Sequence, residues 1–197
     1  MPLTVNGTKQ IRQEIENMLR EICAGIQVNQ STGEVTLPLT TVQGKKSGCK
    51  CLNSIINSNR RVKINPISGP DTPLPPPRED KKMKDYGGGM TSPDCEYGAW
   101  GVPIDGKKGS DTDVFIDITD NGGKGYRLDE SPMKVPLWLI LSHELTDGHA
   151  YHCVMGTLKV THTGSENQAI DAENEHREEH KMEPRKLLPP KYDGDGQ

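Results

Sequence analysis

Apolar residues near the start of the chain recur at spacings of three and four, at Ile11, Ile15, Leu19, Ile22 and Ile26, with Met18 and Cys23 flanking them. This periodicity predicts an amphipathic helix across residues 8–28, capped by Thr8 or Asn6 and weakened in its last turn by Gly25. Residues 33–42 alternate as a strand does, and Pro38 confines that strand to an edge. A second alternation sets Val114, Ile116 and Ile118 against Asp113, Phe115 and Asp117, with Asn121-Gly122-Gly123 as a hairpin turn and Tyr126-Arg127-Leu128 as the returning strand. The longest apolar run, Val135 to Leu141, is too short to span a bilayer and predicts a buried helix with Pro136 in its first turn. A further helix is expected over Ser165–Arg177, capped by Ser165 with Glu166 in its first turn.

Between these periodic segments the chain is poor in core-forming residues. Only 31% of the 197 residues are hydrophobic and 4% aromatic, against 21 glycines and 15 prolines, so the core must be confined to certain segments. The Pro- and charge-rich stretch from Ser68 to Gly89 reads as a solvated loop or linker. The expected organisation is therefore a helix-and-strand region at 1–66 packing on the core, a linker at 67–90, a main region at 91–188 and a disordered tail at 189–197.

A net charge of −4 and the lack of any Lys/Arg stretch interleaved with aromatics argue against a nucleic-acid partner. Met1 to Gly7 lack the charged and apolar regions of a secretory signal, and no membrane insertion is expected. An odd number of cysteines, five, with no such signal predicts reduced thiols where the protein is made. Cys49 and Cys51 have one residue between them, too few for a zinc knuckle, and read as a loop or an opportunistic disulfide.

All six histidines lie in the last third, and three fall within His143-Glu144-Leu145-Thr146-Asp147-Gly148-His149-Ala150-Tyr151-His152. In a His-Glu-x-x-His helix two histidines one turn apart bind zinc and the glutamate between them is the base. Here the second histidine comes two positions late. On an unbroken helix His143 and His149 would point about 120° apart, so sharing a metal requires a break or bulge at Asp147-Gly148, a turn dipeptide. A regular helix would instead pair His149 with His152 and leave Glu144 poorly placed, and a third possibility is that no metal binds.

Residues 130–188 resemble the zinc peptidases of bacterial effectors and polymorphic toxins, which show His-Glu-Leu-x-His-Ala and a later helix with a glutamate ligand. Glu173-Asn174-Glu175-His176-Arg177 and Pro184-Arg185 match the patterns that follow in that family. The resemblance implies a zinc site of His143, His149 and Glu166, with His152 as the alternative ligand and Glu144 as general base. Zinc-bound water would then attack a peptide carbonyl, with Tyr151 or His152 stabilising the oxyanion. Glu173, Glu175 and His176 are expected on a solvated face or behind the ligands.

The expected fold is α+β, a small zincin-like domain with a zinc-site helix, a downstream glutamate helix, an N-terminal helix and a small antiparallel sheet. The implied setting is a virulence effector or toxin made in the bacterial cytoplasm and delivered through a type III or type VI secretion apparatus into a target cell. A polypeptide is the expected substrate. The rival readings are an inactive effector of the same scaffold that binds a host or bacterial protein, and an immunity or adaptor protein without metal.

Overall fold

The computed structural model describes residues 3–38, 47–74, 80–86, 88–93, 109–119, 123–146, 149–157 and 162–189. Its architecture is mixed α+β. In chain order the elements are β1 (Leu3–Val5), α1 (Lys9–Ile22), β2 (Gln27–Val28), β3 (Val35–Thr36), α2 (Ser47–Ile56) and β4 (Val62–Ile67). A single 3-10 turn (Met83–Tyr86) follows, then β5 (Gly89–Pro93), β6 (Thr112–Asp117), β7 (Gly123–Tyr126), β8 (Pro132–Val135), α3 (Leu137–Leu145), α4 (His149–Met155) and α5 (His162–Glu179).

Helix α1 begins where the sequence places it, with the Thr8 hydroxyl accepting from the Ile11 N–H at 3.4 Å. It stops at Ile22 because Cys23 turns extended, ahead of Gly25, while Ile26 remains buried from the loop beyond. Ile15, Leu19 and Ile22 form its inward stripe.

The principal sheet has the order β1-β4-β6-β5. The expected antiparallel sheet is instead mixed: β1 and β6 run parallel to β4, and only the edge strand β5 is antiparallel to its neighbour. Parallel pairing requires crossovers, and α1 and α2 lie in sequence between β1 and β4. Strand β4 went unread because Pro66 interrupts it. The proline is tolerated because β1 pairs only as far as Ile64, so beyond that point β4 has a partner on the β6 side alone. The expected hairpin from β6 into residues 126–128 does not form; β7 pairs with β8 in a separate two-stranded ladder. Asn121 and Gly122 lie outside the described residues, as does the 39–42 end of the first predicted strand, of which only Val35 and Thr36 are β3.

One core cluster draws Leu3, Val62, Ile64, Val114 and Ile116 from the sheet, and Leu19, Leu52, Leu139, Leu145 and Val154 from the helices. A second, smaller cluster of Leu74, Met83 and Met90 packs on Ile67, Tyr86 and Phe115. Successive strand residues face opposite ways, so Phe115 serves the face opposite Val114 and Ile116. The stretch read as a solvated linker thus supplies buried residues, and its signal, two isolated apolar residues, has no period to detect. Of the predicted tail, Pro189 is described and 190–197 are not.

The expectation of reduced thiols is also corrected. Cys49 sits in α2, a helix rather than a loop, and is disulfide-bonded to Cys23 at the end of α1, 26 residues earlier. Cys51 and Cys153 are buried thiols, and Cys95 lies outside the described residues. Among the described residues no helix is long and apolar enough to cross a membrane. Closing a loop of this size restricts the unfolded chain by about 3 kcal/mol. Cys49→Ala should therefore lower the unfolding free energy of the oxidised protein, read from urea titration, by that order, and the gap to wild type should narrow when both are measured in reductant.

Candidate metal centre

The motif helix ends before its second histidine. Helix α3 stops at Leu145, and Thr146 adopts an extended conformation (φ −101°, ψ 127°) with its N–H donating to the Ser142 carbonyl. Helix α4 starts at His149, and the intervening Asp147 and Gly148 lie outside the described residues. The interruption between His143 and His149 is the condition under which the two rings can share one site. Buried Thr146 is held on both sides, its hydroxyl 2.8 Å from Ser142 Oγ and 3.2 Å from His176 Nε2. Gly48 of α2 lies over the His176 ring, where a Cβ would come within 2.3 Å of Cε1, so no larger residue fits without a shift.

Helix α5 begins at His162, earlier than expected, so Ser165 is inside it rather than at its cap. Its Glu166 carboxylate joins the two histidines: Oε2 is 3.5 Å from His143 Nε2, and Oε1 is 3.2 Å from His149 Nε2. The two imidazole rings lie 5.3 Å apart between centroids. One donor atom from each of the three residues lies within 4.8 Å of the others, so this group can hold a metal ion. Tetrahedral ligands about 2.1 Å from a metal stand about 3.4 Å from one another. The two Glu166 contacts, one from each carboxylate oxygen, are individually close to that spacing.

Glu173, two turns further along α5, lies behind the site. Its Oε2 is 3.4 Å from His143 Nδ1, the ring nitrogen directed away from Glu166, and 2.8 Å from Arg185 Nη1; its Oε1 is 2.8 Å from Arg177 Nε. Glu173 and Arg177 are fully buried. Of the two expectations for Glu173, a solvated face and a place behind the ligands, the second describes it; Glu175 is exposed. His176 is buried and belongs to the Thr146 contact instead.

Glu144, also buried, faces β5. The Thr91 hydroxyl lies 2.6 Å from its Oε2 and 3.2 Å from its carbonyl oxygen. A Cβ on Gly89 would stand 2.7 Å from Ile140 Cγ2 and 3.0 Å from Glu144 Cγ, so the glycine lets the strand approach α3 this closely. Thr91 is 53 residues from Glu144, and nothing in the sequence pointed to it. His152 is not in the three-residue group: its Nδ1 lies 2.7 Å from Thr157 Oγ1 and 3.2 Å from Gln168 Nε2. Tyr151 packs against the main core and edge-on to His152.

With these positions established, comparison of the chain with protein-family models, curated proteins and solved structures gives no match in any of the three.

The charges explain how the group is held without a metal. Burial favours neutral His143, but Glu166 and Glu173, with the field of Glu144, outweigh it and raise its pKa to about 10. Burial likewise opposes ionised Glu166, and contact with His143 and then His149 overcomes it, holding the carboxyl far below the usual range. Glu173, penalised by burial in the same way, is held at about 2 by His143, Arg185 and Arg177. The metal-free fold therefore gains stability from protonated His143. This gain is complete below the ordinary histidine pKa of about 6.5 and is lost as pH rises through about 10. Glu166 acts oppositely, stabilising above about pH 4.5 and losing that contribution on acidification. Urea titrations of chelator-treated protein should show wild type losing stability between about pH 7 and 10, and His143→Gln should flatten that limb.

Proposed function

We propose that this chain is a zinc-dependent peptidase of the bacterial effector and toxin type, with His143, His149 and Glu166 as zinc ligands and Glu144 as general base. The observation that carries this reading is the end of α3 at Leu145, which lets His149 approach Glu166 beside His143 although the sequence spacing is two residues too long. The donor set fits the metal: two imidazoles and one carboxylate suit a catalytic zinc with an open fourth position. The carboxylate behind His143 fits as well, since Glu173 Oε2 lies 3.4 Å from Nδ1, the nitrogen on which a zinc-bound imidazole would carry its proton.

When bound, zinc supplies a Lewis acid that polarises a carbonyl and acidifies water. The chain supplies the proton transfers and the orientation. Glu144 takes the proton from the attacking water and delivers it to the leaving amine. Thr91 donates to one carboxylate oxygen of Glu144, which fixes the side chain and leaves the other oxygen to act as base. Beside it, β5 is an antiparallel edge strand with no strand partner on its far side among the described residues. An extended peptide added to that edge would lie next to Glu144, which supports a polypeptide substrate and a zincin-like arrangement.

Delivery into a target cell rests on the resemblance of residues 130–188. The Cys23–Cys49 bond favours an oxidising compartment as the place of action. The alternative is an inactive effector of the same scaffold, with catalysis lost through the Asp147-Gly148 insertion, that acts by binding a host or bacterial protein.

Elemental analysis should find one zinc per wild-type chain and little in His143→Ala, His149→Ala or Glu166→Ala. Glu144→Gln should keep the metal while losing peptide hydrolysis by about 10²- to 10⁴-fold. Full hydrolytic activity in a zinc-loaded Glu144→Gln protein would sink the assignment of the base.

A further inference from the structure

The segment after α5 is built onto the back of the metal centre by a repeated device. Asn174 donates from Nδ2 to the Arg185 carbonyl at 2.9 Å, and its Oδ1 accepts from the Arg185 N–H at 2.6 Å. Asn167 makes the same pair with Leu188, at 3.1 and 2.7 Å. Each side-chain amide thus satisfies both main-chain groups of one residue, as a neighbouring strand would. The two asparagines are two helical turns apart, about 10.5 Å. Residues 185 and 188 are separated by about 10 Å only when the chain between them is extended. The spacing of the asparagines and the extension of the segment therefore match.

Its other edge is held as well: the Lys186 N–H donates to the Tyr126 carbonyl at 2.8 Å, and Arg185 bridges to Arg127. Arg177 Nη1 donates to the Glu183 carbonyl at 3.2 Å. With its backbone fixed on both sides, Arg185 reaches inward to Glu173 Oε2, the same oxygen that faces His143 Nδ1. Gly125 makes room for the guanidinium, since a Cβ there would meet Arg185 Nε at 3.2 Å. Arg177 takes the opposite oxygen of Glu173, so the carboxylate cannot swing away from the histidine.

We infer that residues 183–188 form a positioning strap for the metal centre, in which Asn167 and Asn174 hold Arg185, Arg185 holds Glu173, and Glu173 orients the ligand His143. The strap rests on the zinc-site reading. Arg185 is a positioning residue: it touches neither the ligand atoms nor Glu144 in any contact described above.

Zinc(II) affinity measured by chelator competition tests the strap without using catalysis. Arg185→Ala should weaken it about ten- to a hundredfold, the usual effect of losing a group that orients a ligand. Lys84→Ala, which removes an ion pair with Asp71 on the surface away from the site, should leave it unchanged. In the double variant with Glu173→Gln the losses should be far from additive, because both act through one carboxylate. Cobalt(II) bound to Arg185→Ala should show shifted d–d bands. Where Arg185→Ala fails to fold, Asn174→Ala leaves every buried charge in place and should still cost severalfold in affinity.

Wild type that takes up no zinc overturns the metal site and the strap together, before any variant is compared. Wild type that binds zinc while Arg185→Ala or Asn174→Ala binds equally well overturns the strap alone. Additive losses in the double variant also overturn it, because a general loosening of the fold would add and a shared carboxylate would not.

Discussion

Glu173 is a fully buried carboxylate facing His143 on one side and the guanidinium groups of Arg177 and Arg185 on the other. Removing a charge from water costs several kcal/mol even after relaxation, about as much as many domains have in total stability. The cost is offset only while every partner stays in place, so Glu173 ties three parts of the chain to one geometry. It lies on α5, it meets His143 at the end of α3, and it receives Arg185 from the segment that closes the described chain. A buried ion pair of this kind contributes little net stability compared with apolar packing. Its contribution is to make wrong arrangements costly, because any shift of α5 against α3 strands a charge.

The end of α3 is fixed from the other half of the molecule. Thr146, where the helix stops, touches His176, and His176 is roofed by Gly48 at the start of α2. One residue further along, Cys49 is bonded to Cys23 at the end of α1. The N-terminal helices, which contribute none of the three metal-ligand candidates, therefore bear on the point where the chain must leave the helix for His149 to approach Glu166. The main core likewise spans the molecule, from Leu3 to Val154.

What the sequence revealed follows the range of the interactions involved. Helix α1 and strand β6 carry their own periodicity and helix α3 its apolar run; His143, Glu144 and His149 stood out as a local motif, whereas Glu166 was named through the resemblance of residues 130–188. The mixed sheet could not be read, since whether β4 pairs parallel depends on where α1 and α2 carry the chain. The small cluster around Met83 was hidden because single apolar residues among prolines and charges have no period. Glu173 was visible in part: its pairing with Arg177 at four residues is a local helix signal, whereas Arg185 and His143 approach it only in the folded chain. Thr91 left no trace in sequence, being brought to Glu144 only by the packing of β5 on α3.

The charge pattern explains how the histidines and carboxylates can share this place in the fold. Two carboxylates and two histidines crowded together would repel or collapse if all were in their metal-binding protonation states. Protonated His143 takes the place of the cation, neutralising part of the charge of Glu166 and Glu173 and drawing Glu166 to both imidazoles. The contacts this creates, 3.5 and 3.2 Å, are made one by each oxygen of the carboxylate. A metal ion held by these three residues would take the place of that proton. The field that raises the histidine is the same field that would attract the dication, so proton and metal compete for one arrangement of residues.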